Sequence, residues 1–217
     1  MNHFVWDMRY PDASKFPGMI LWDGSVRGPL IVPGEYKVEL VADGQTQSQP
    51  FTIKTDPRAH TTPEEFQKQL ALALEVQHSL AQSNQAVLDI QNAKKQLAAY
   101  STSSNPRVAQ SAKQISDKLS EVENAIYQTK LRADEDALNY PIKLNNKFAS
   151  LLSTINSTDV APTAQSYEVY RDLSARLKVQ MEKLNQIVTQ DIANFNKLVR
   201  DENIPAVSMM TSEQMRK

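Results

Sequence analysis

Between residues 108 and 126 the apolar side chains Val108, Ala112, Ile115, Leu119, Val122 and Ile126 recur at alternating steps of four and three. Such a step draws a narrow apolar seam down one side of a helix, and a seam of that kind must be covered by other helices. The positions between are filled by polar residues such as Lys113, Gln114, Asp117, Lys118, Ser120 and Glu121, which belong in water. This segment therefore commits the chain to helix-on-helix packing.

The covering surfaces lie in the same chain. Thr62, Pro63 and Glu65 combine a hydroxyl N-cap, a proline at the first helical position and a carboxylate placed for a capping box. They open a predicted helix over residues 62–101, with Leu72, Val76, Leu80, Val87, Ile90 and Leu97 along one stripe. The stretch STSSNP ends it, and Asn105-Pro106 starts a second helix predicted over 106–138. Pro141 lacks an amide hydrogen and drives Tyr140 out of the α region, so a break is expected there. A shorter helix over 141–156 carries Leu144, Phe148, Leu151 and Ile155. The last, over 162–202, carries Tyr170, Leu173, Leu177, Met181, Leu184, Val188, Ile192 and Phe195 and stops before Pro205. At ~1.5 Å per residue the first and last helices are each roughly 60 Å long, and the two middle pieces laid end to end match them. Short connections make consecutive legs antiparallel. The expectation for residues 62–203 is a long antiparallel three-legged helical bundle, followed by an aperiodic, loose tail at 204–217.

Residues 1–57 have a different period. Phe4, Trp6, Met8 and Tyr10 stand two apart, which would place them on one face of an extended strand. Tyr36, Val38, Leu40 and Ala42 alternate with Glu35, Lys37 and Glu39, the pattern of a half-buried strand. Asp43-Gly44 follows as a hairpin turn, and the return strand runs through Phe51 and Ile53. Three or four strands are too few to close a sandwich. The expectation is a small, incomplete β-sandwich whose first strands lie upstream, so the fold class is α+β, mainly α.

The stretch FVWDMRYPDASKFPGMILWDGSVRGPLIVPGEYKVEL resembles the small β-sandwich near the C-terminus of large bacterial proteins that carry sortilin-type or BNR-repeat (Asp-box) β-propellers. Its WD strand and VPGEYKVEL are also similar to the immunoglobulin-like domain of flagellar hook-capping protein. In the helical half, LNYPIKLNNKFASLL, PTAQSYEVYRDLSARL and FNKLVRDENIPAV resemble the same propeller family. The resemblance implies that residues 1–57 form an immunoglobulin-like domain truncated at its N-terminus. It implies a C-terminal accessory region of a secreted or periplasmic protein whose main partners are its own upstream propellers. Proteins of this family are labelled glycosyl hydrolases partly on fold analogy, and any sugar-cleaving carboxylates would belong to the propellers.

The residues themselves offer little chemistry. A formal net charge of -1 gives no electrostatic footprint for nucleic acid or an anionic membrane. No apolar run approaches the ~20 residues of a membrane span. The absence of cysteine excludes disulfides, thiolate zinc sites and cysteine nucleophiles. Glycosidases need two carboxylates ~5–9.5 Å apart across a cleft. The β half offers Asp7, Asp12, Asp23, Glu35 and Glu39, of which Glu35 and Glu39 fall on the solvent face and Asp7 suits a surface contact with Arg9. Asp134, Glu135 and Asp136 are consecutive and read as a solvated helix end. His3, His60 and His78 make no ligand spacing, and no phosphate-binding or nucleophile-elbow motif occurs. No residue is assigned as catalytic, cofactor-binding or metal-ligating.

The functional lead is a contact surface of Trp6, Arg9, Tyr10 and Trp22, which could meet a glycan or a protein partner. The competing reading buries both tryptophans in the core or between the two halves. Three functions are compatible with this reading: a non-catalytic accessory module, a carbohydrate-contacting part of a hydrolase, and a helical scaffold that oligomerises through its bundle. The seam gives a direct test by thermal denaturation. Ile115→Asp should destabilise the protein by several kcal/mol, because an unpaired charge would be buried, whereas Lys118→Asp on the outer face should change little.

Overall fold

A computed structural model describes residues 3–202 and residue 207 of the chain. Its first helix, α1 (Pro63–Ala98), starts where the capping box is written. The Thr62 hydroxyl accepts from the Glu65 amide, and the Glu65 carboxylate accepts from the Thr62 amide at 2.8 Å. Asn105 caps α2 (Pro106–Ile126) and Thr163 caps α4 (Ala164–Gln186), with α3 (Leu144–Ile155) between them. The last leg runs on from α4 through a π-helical stretch, Ile187–Ile192, into α5 (Ala193–Asp201).

Cross-links between the legs give their directions. Gln91 and Lys94 of α1 reach Glu123 of α2, Asn84 meets Asn145 of α3, and Gln69 reaches the carbonyl of Ile155. As α1 is followed backwards its partners move forwards, so α2 covers its C-terminal half and α3 its N-terminal half, both antiparallel. Tyr170 lies against Ser79 and the Phe195 ring meets Tyr100, so the last leg runs parallel to α1. The apolar stripe of α1 and the seam of α2 are buried along their whole lengths.

The second leg stops twelve residues short of its expected end, at Ile126 rather than residue 138. Tyr127 leaves the helix with extended backbone. Its ring lies edge-on to Phe16 at 4.9 Å, and its hydroxyl accepts from the Ile20 amide at 3.2 Å. A tertiary contact, not a local stop signal, ends α2. Residues 127–143 form a connection containing one 3-10 turn, Asp134–Leu138. Pro141 lies within it, accepting from Gln128 at 3.0 Å, so the proline follows the break instead of causing it.

The β half departs further from expectation. Its sheet is a two-stranded antiparallel hairpin of β1 (Gly34–Ala42) and β2 (Gln45–Ile53). Asp43 and Gly44 form the turn with φ of 50° and 75°, the positive values that a two-residue hairpin demands. Residues 3–10 are not a strand. Met8 has φ 58°, which breaks the extension, and the segment's ladder contact among the described residues is an isolated bridge between Arg9 and Leu30.

Residues 8–31 instead double back as an irregular strap. Tyr10 donates to Pro29 at 2.9 Å, Ile31 to Met8 at 2.9 Å and Ala13 to Val26 at 2.8 Å. The two arms run so close at Gly28 that a Cβ there would sit 1.9 Å from the Tyr10 carbonyl oxygen. Ala13, Phe16 and Val26 bury themselves against the bundle. Asn146 fixes the tip: its side-chain oxygen accepts from the Trp22 amide at 2.7 Å, and its nitrogen donates to the Trp22 carbonyl at 2.6 Å. Gly24 then passes so near α3 that a Cβ would stand 2.9 Å from that of Ala149.

The expected loose tail lies outside the described residues except at Val207, which is buried. Both of its main-chain groups are bonded to Asn196 at 2.8 Å. Lys118 is also not on a free outer face. It pairs with Asp191 of the π-helical stretch at 2.8 Å, so Lys118→Asp would set two carboxylates together. Lys113, paired with Asp117 one turn along its own helix, is the proper control for Ile115→Asp.

Docking of the strap yields a separate prediction. Asn146→Ala removes both bonds to Trp22 and should cost about 2 kcal/mol, the scale for leaving buried partners unsatisfied. Gly24→Val should also lower the melting temperature. Both variants should open residues 10–30 to limited proteolysis while circular dichroism stays helical. Parent-like melting and protease resistance in both would show that the strap is not held this way.

Candidate functional site

The four candidate contact residues fall at the two ends of the strap. Trp6, 40% exposed, donates from its indole nitrogen to the Arg9 carbonyl at 3.1 Å. The Arg9 guanidinium crosses the strap to the Gly28 carbonyl at 2.9 Å. It does not pair with Asp7, whose partner is Arg27 at 3.1 Å. Tyr10 is held by its amide to Pro29 and leaves its ring partly exposed. Trp6, Arg9 and Tyr10 thus share the root of the strap. Trp22 stands at the tip, its main chain clamped by Asn146 and its side chain 41% exposed.

A groove of about 290 Å³ lies where the strap root, the base of the hairpin and the start of α1 meet. Met8, Leu30, Val32, Ile53, Phe66 and Leu70 line it, with Lys54, Asp56 and Asp159 as its charged groups. Its walls come from several separate stretches of chain, and no spacing in the sequence links them, which is why sequence reading missed it.

Of the groove's two carboxylates, Asp56 is already engaged by a neighbour. Asp56 is gripped by the Arg58 side chain at 2.6 and 3.0 Å and by the Arg58 amide at 2.9 Å. These bonds hold its carboxyl below the usual carboxylate range. A group so readily ionised is a poor general acid near neutral pH. Asp89 on α1 shifts the other way, pushed up by burial and only partly relieved by the Gln85 amide at 2.8 Å, but it is not among the groove residues. Asp136 is held low because its carboxylate accepts from the amides of Arg132 and Ala133, capping the 3-10 turn. Among the described residues no group of three or more His, Asp or Glu is placed to hold a metal ion, and no helix is long and apolar enough to cross a membrane.

The most unusual surface is the hairpin. The expected half-buried face is open: Tyr36 stacks on Phe51 at 5.9 Å, but beyond them Val38 is 54% and Leu40 64% exposed. A two-stranded sheet with an uncovered apolar face is marginal by itself. Comparison with known proteins finds no matching family model, no matching curated protein and no matching solved structure.

Carboxyl titration followed by NMR checks the electrostatics. Asp56 and Asp136 should titrate below the ordinary carboxylate range and Asp89 above it, and Arg58→Ala should return Asp56 toward normal. The depressed groups stabilise the fold above the usual carboxylate pKa and lose that contribution as pH falls through their own. Asp89 has the opposite sign: its contribution is lost as pH rises, so Asp89→Asn should keep or raise stability at neutral pH.

Proposed function

We propose that this chain is a non-catalytic accessory and interaction module, the C-terminal part of a secreted or periplasmic propeller-type protein of the glycosyl-hydrolase-like kind. The observation that carries the proposal is the open apolar face of the hairpin, Tyr36, Val38 and Leu40, standing clear of a bundle whose own seams are closed. Exposed apolar patches of this sort mark contact surfaces. On this reading the hairpin belongs to an immunoglobulin-like sheet, and the companion surface comes from the propeller region. The bundle supplies a stiff mount, and the strap fixes the hairpin's root to it.

A second reading has an observation of its own. Trp6 and Tyr10 lie together at the strap root with rings partly free, a surface able to stack on sugar rings. It would make the module a carbohydrate contact rather than a protein contact.

The test is a binding titration of this chain against a separately produced β-propeller segment from a protein carrying both regions, with oligosaccharides and aryl glycosides assayed in parallel. Saturable binding to the propeller segment, weakened at least tenfold by Leu40→Asp, is the expected outcome; removing one well-buried aliphatic contact is worth about that much. Sugar binding lost in Trp6→Ala would favour the second reading. Glycoside turnover abolished by replacing a carboxylate of this chain would overturn both.

A further inference from the structure

The two long edges of the hairpin differ, and their difference follows from the register. Ala42 faces Gln45 across the two-residue turn, so that pair exchanges main-chain hydrogen bonds. Counting back along the ladder, the even residues of β1 bond inward to β2. The N–H and C=O groups of Glu35, Lys37, Glu39 and Val41 therefore point out from the sheet. On β2 the outward-pointing set includes Pro50, which stands opposite Lys37 and has no amide hydrogen. Proline in that position blunts an edge against further pairing. The β1 edge has no proline, and no strand pairs with it among the described residues.

We infer that the β1 edge pairs with the β1 edge of a second copy of this chain, forming a continuous four-stranded antiparallel sheet about a twofold axis. The charges select both the partner and the register. When Val38 is set against the partner's Val38, Lys37 falls opposite the partner's Glu39 and Glu39 opposite the partner's Lys37. All the outward-pointing residues then meet outward-pointing residues, Glu35 with the partner's Val41 included, so every pair can exchange its hydrogen bonds. On the other face Tyr36 falls beside the partner's Leu40, joining the two open apolar faces into one. Centring the pair on Lys37 or on Glu39 instead sets like charges directly opposite each other, which is unfavourable. Within one chain Lys37 and Glu39 already pair at 2.6 Å, so the seam becomes an alternating four-charge square.

This goes beyond the accessory-module reading and can fail separately from it. The propeller contact uses the Tyr36–Val38–Leu40 face, whereas Lys37 and Glu39 point from the opposite face. The experiment is sedimentation equilibrium of the whole chain over a range of concentrations. A reversible dimer is expected. Lys37→Glu alone and Glu39→Lys alone should each raise its dissociation constant about tenfold or more, since attractive pairs become repulsive on both sides of the axis. The double variant carrying both changes should regain the parent's affinity. Mixing the two single variants should give a heterodimer tighter than either homodimer. At concentrations where the parent is monomeric, melting temperatures should not move, because both sites are then exposed. A monomer at every concentration overturns the inference, and so does a dimer indifferent to the charge swaps. Dimerisation that responds only to changes on the bundle would assign it to the helices instead.

Discussion

Asn146 is the hinge of this architecture. Its amide does for Trp22 what a neighbouring strand would do, accepting from the N–H and donating to the C=O of one residue. Behind it runs a chain of buried amides. Asn145 accepts from the Asn146 amide and donates to Asn84, and Asn84 donates to the carbonyl of Ser14 on the other arm of the strap. The dependence is mutual. The strap's arms exchange a few main-chain bonds near its root, but its tip needs these side chains. Asparagines this deeply buried need the strap in turn, because unpaired amides in a core are costly. The same device recurs where Asn196 holds both main-chain groups of Val207. Irregular chain is thus bound to regular helices by asparagines standing in for backbone.

The bundle gives those asparagines fixed places because α1 is a spine touched by α2, α3 and α4 alike. Glu123, nearly fully buried, is met by Lys94 at 2.7 Å and Gln91 at 3.0 Å, both from α1. A buried ion pair adds little net stability, yet a shift in register would strand Glu123 without its cation. Our hypothesis is that this triad sets the register of the α1–α2 hairpin. Lys94→Met should then destabilise far more than the paired exchange Lys94→Met with Glu123→Leu, as a double-mutant cycle would measure.

The helical legs were legible because caps and periodicity agree at their starts: Thr62 and Asn105 cap where the sequence places them, and the last leg, capped by Thr163, begins within two residues of its expected start. The hairpin was legible from Asp43-Gly44. What misled was alternation without a partner. Phe4, Trp6, Met8 and Tyr10 have the spacing of a strand, but a strand needs a neighbour, and Met8 turns the chain away before one can form. The end of α2 was hidden for a related reason, since Tyr127 breaks the helix to reach Phe16, a residue more than a hundred positions earlier. Of the contact surface, the individual aromatics were visible. Their separation to opposite ends of the strap was not, because Asn146 decides it from another helix.

The π-helical stretch in the last leg shows how one spacing can be resolved in two ways. Leu173, Leu177 and Met181 stand four apart, and so do Leu184, Val188 and Ile192. In an α-helix each step of four overshoots a full turn by ~40°, so the third residue of such a run drifts well off the stripe. At the first run the helix stays α, and Met181 does drift, ending only partly buried. At the second the helix widens over Ile187–Ile192, and Leu184, Val188 and Ile192 all remain buried. A π turn holds more than four residues, so a step of four falls short of a full turn there and offsets the overshoot of the α turn before it, which keeps the apolar stripe on the core. The same widening positions two contacts with the other legs: Asp191 meets Lys118, and Phe195 arrives edge-on to Tyr100 at 5.0 Å. A π segment is often a marker of a functional site. Here its cause is the alignment of a core: were Ile187–Ile192 to adopt α geometry with no residue removed, Phe195 and Val199 would be turned away from the spine.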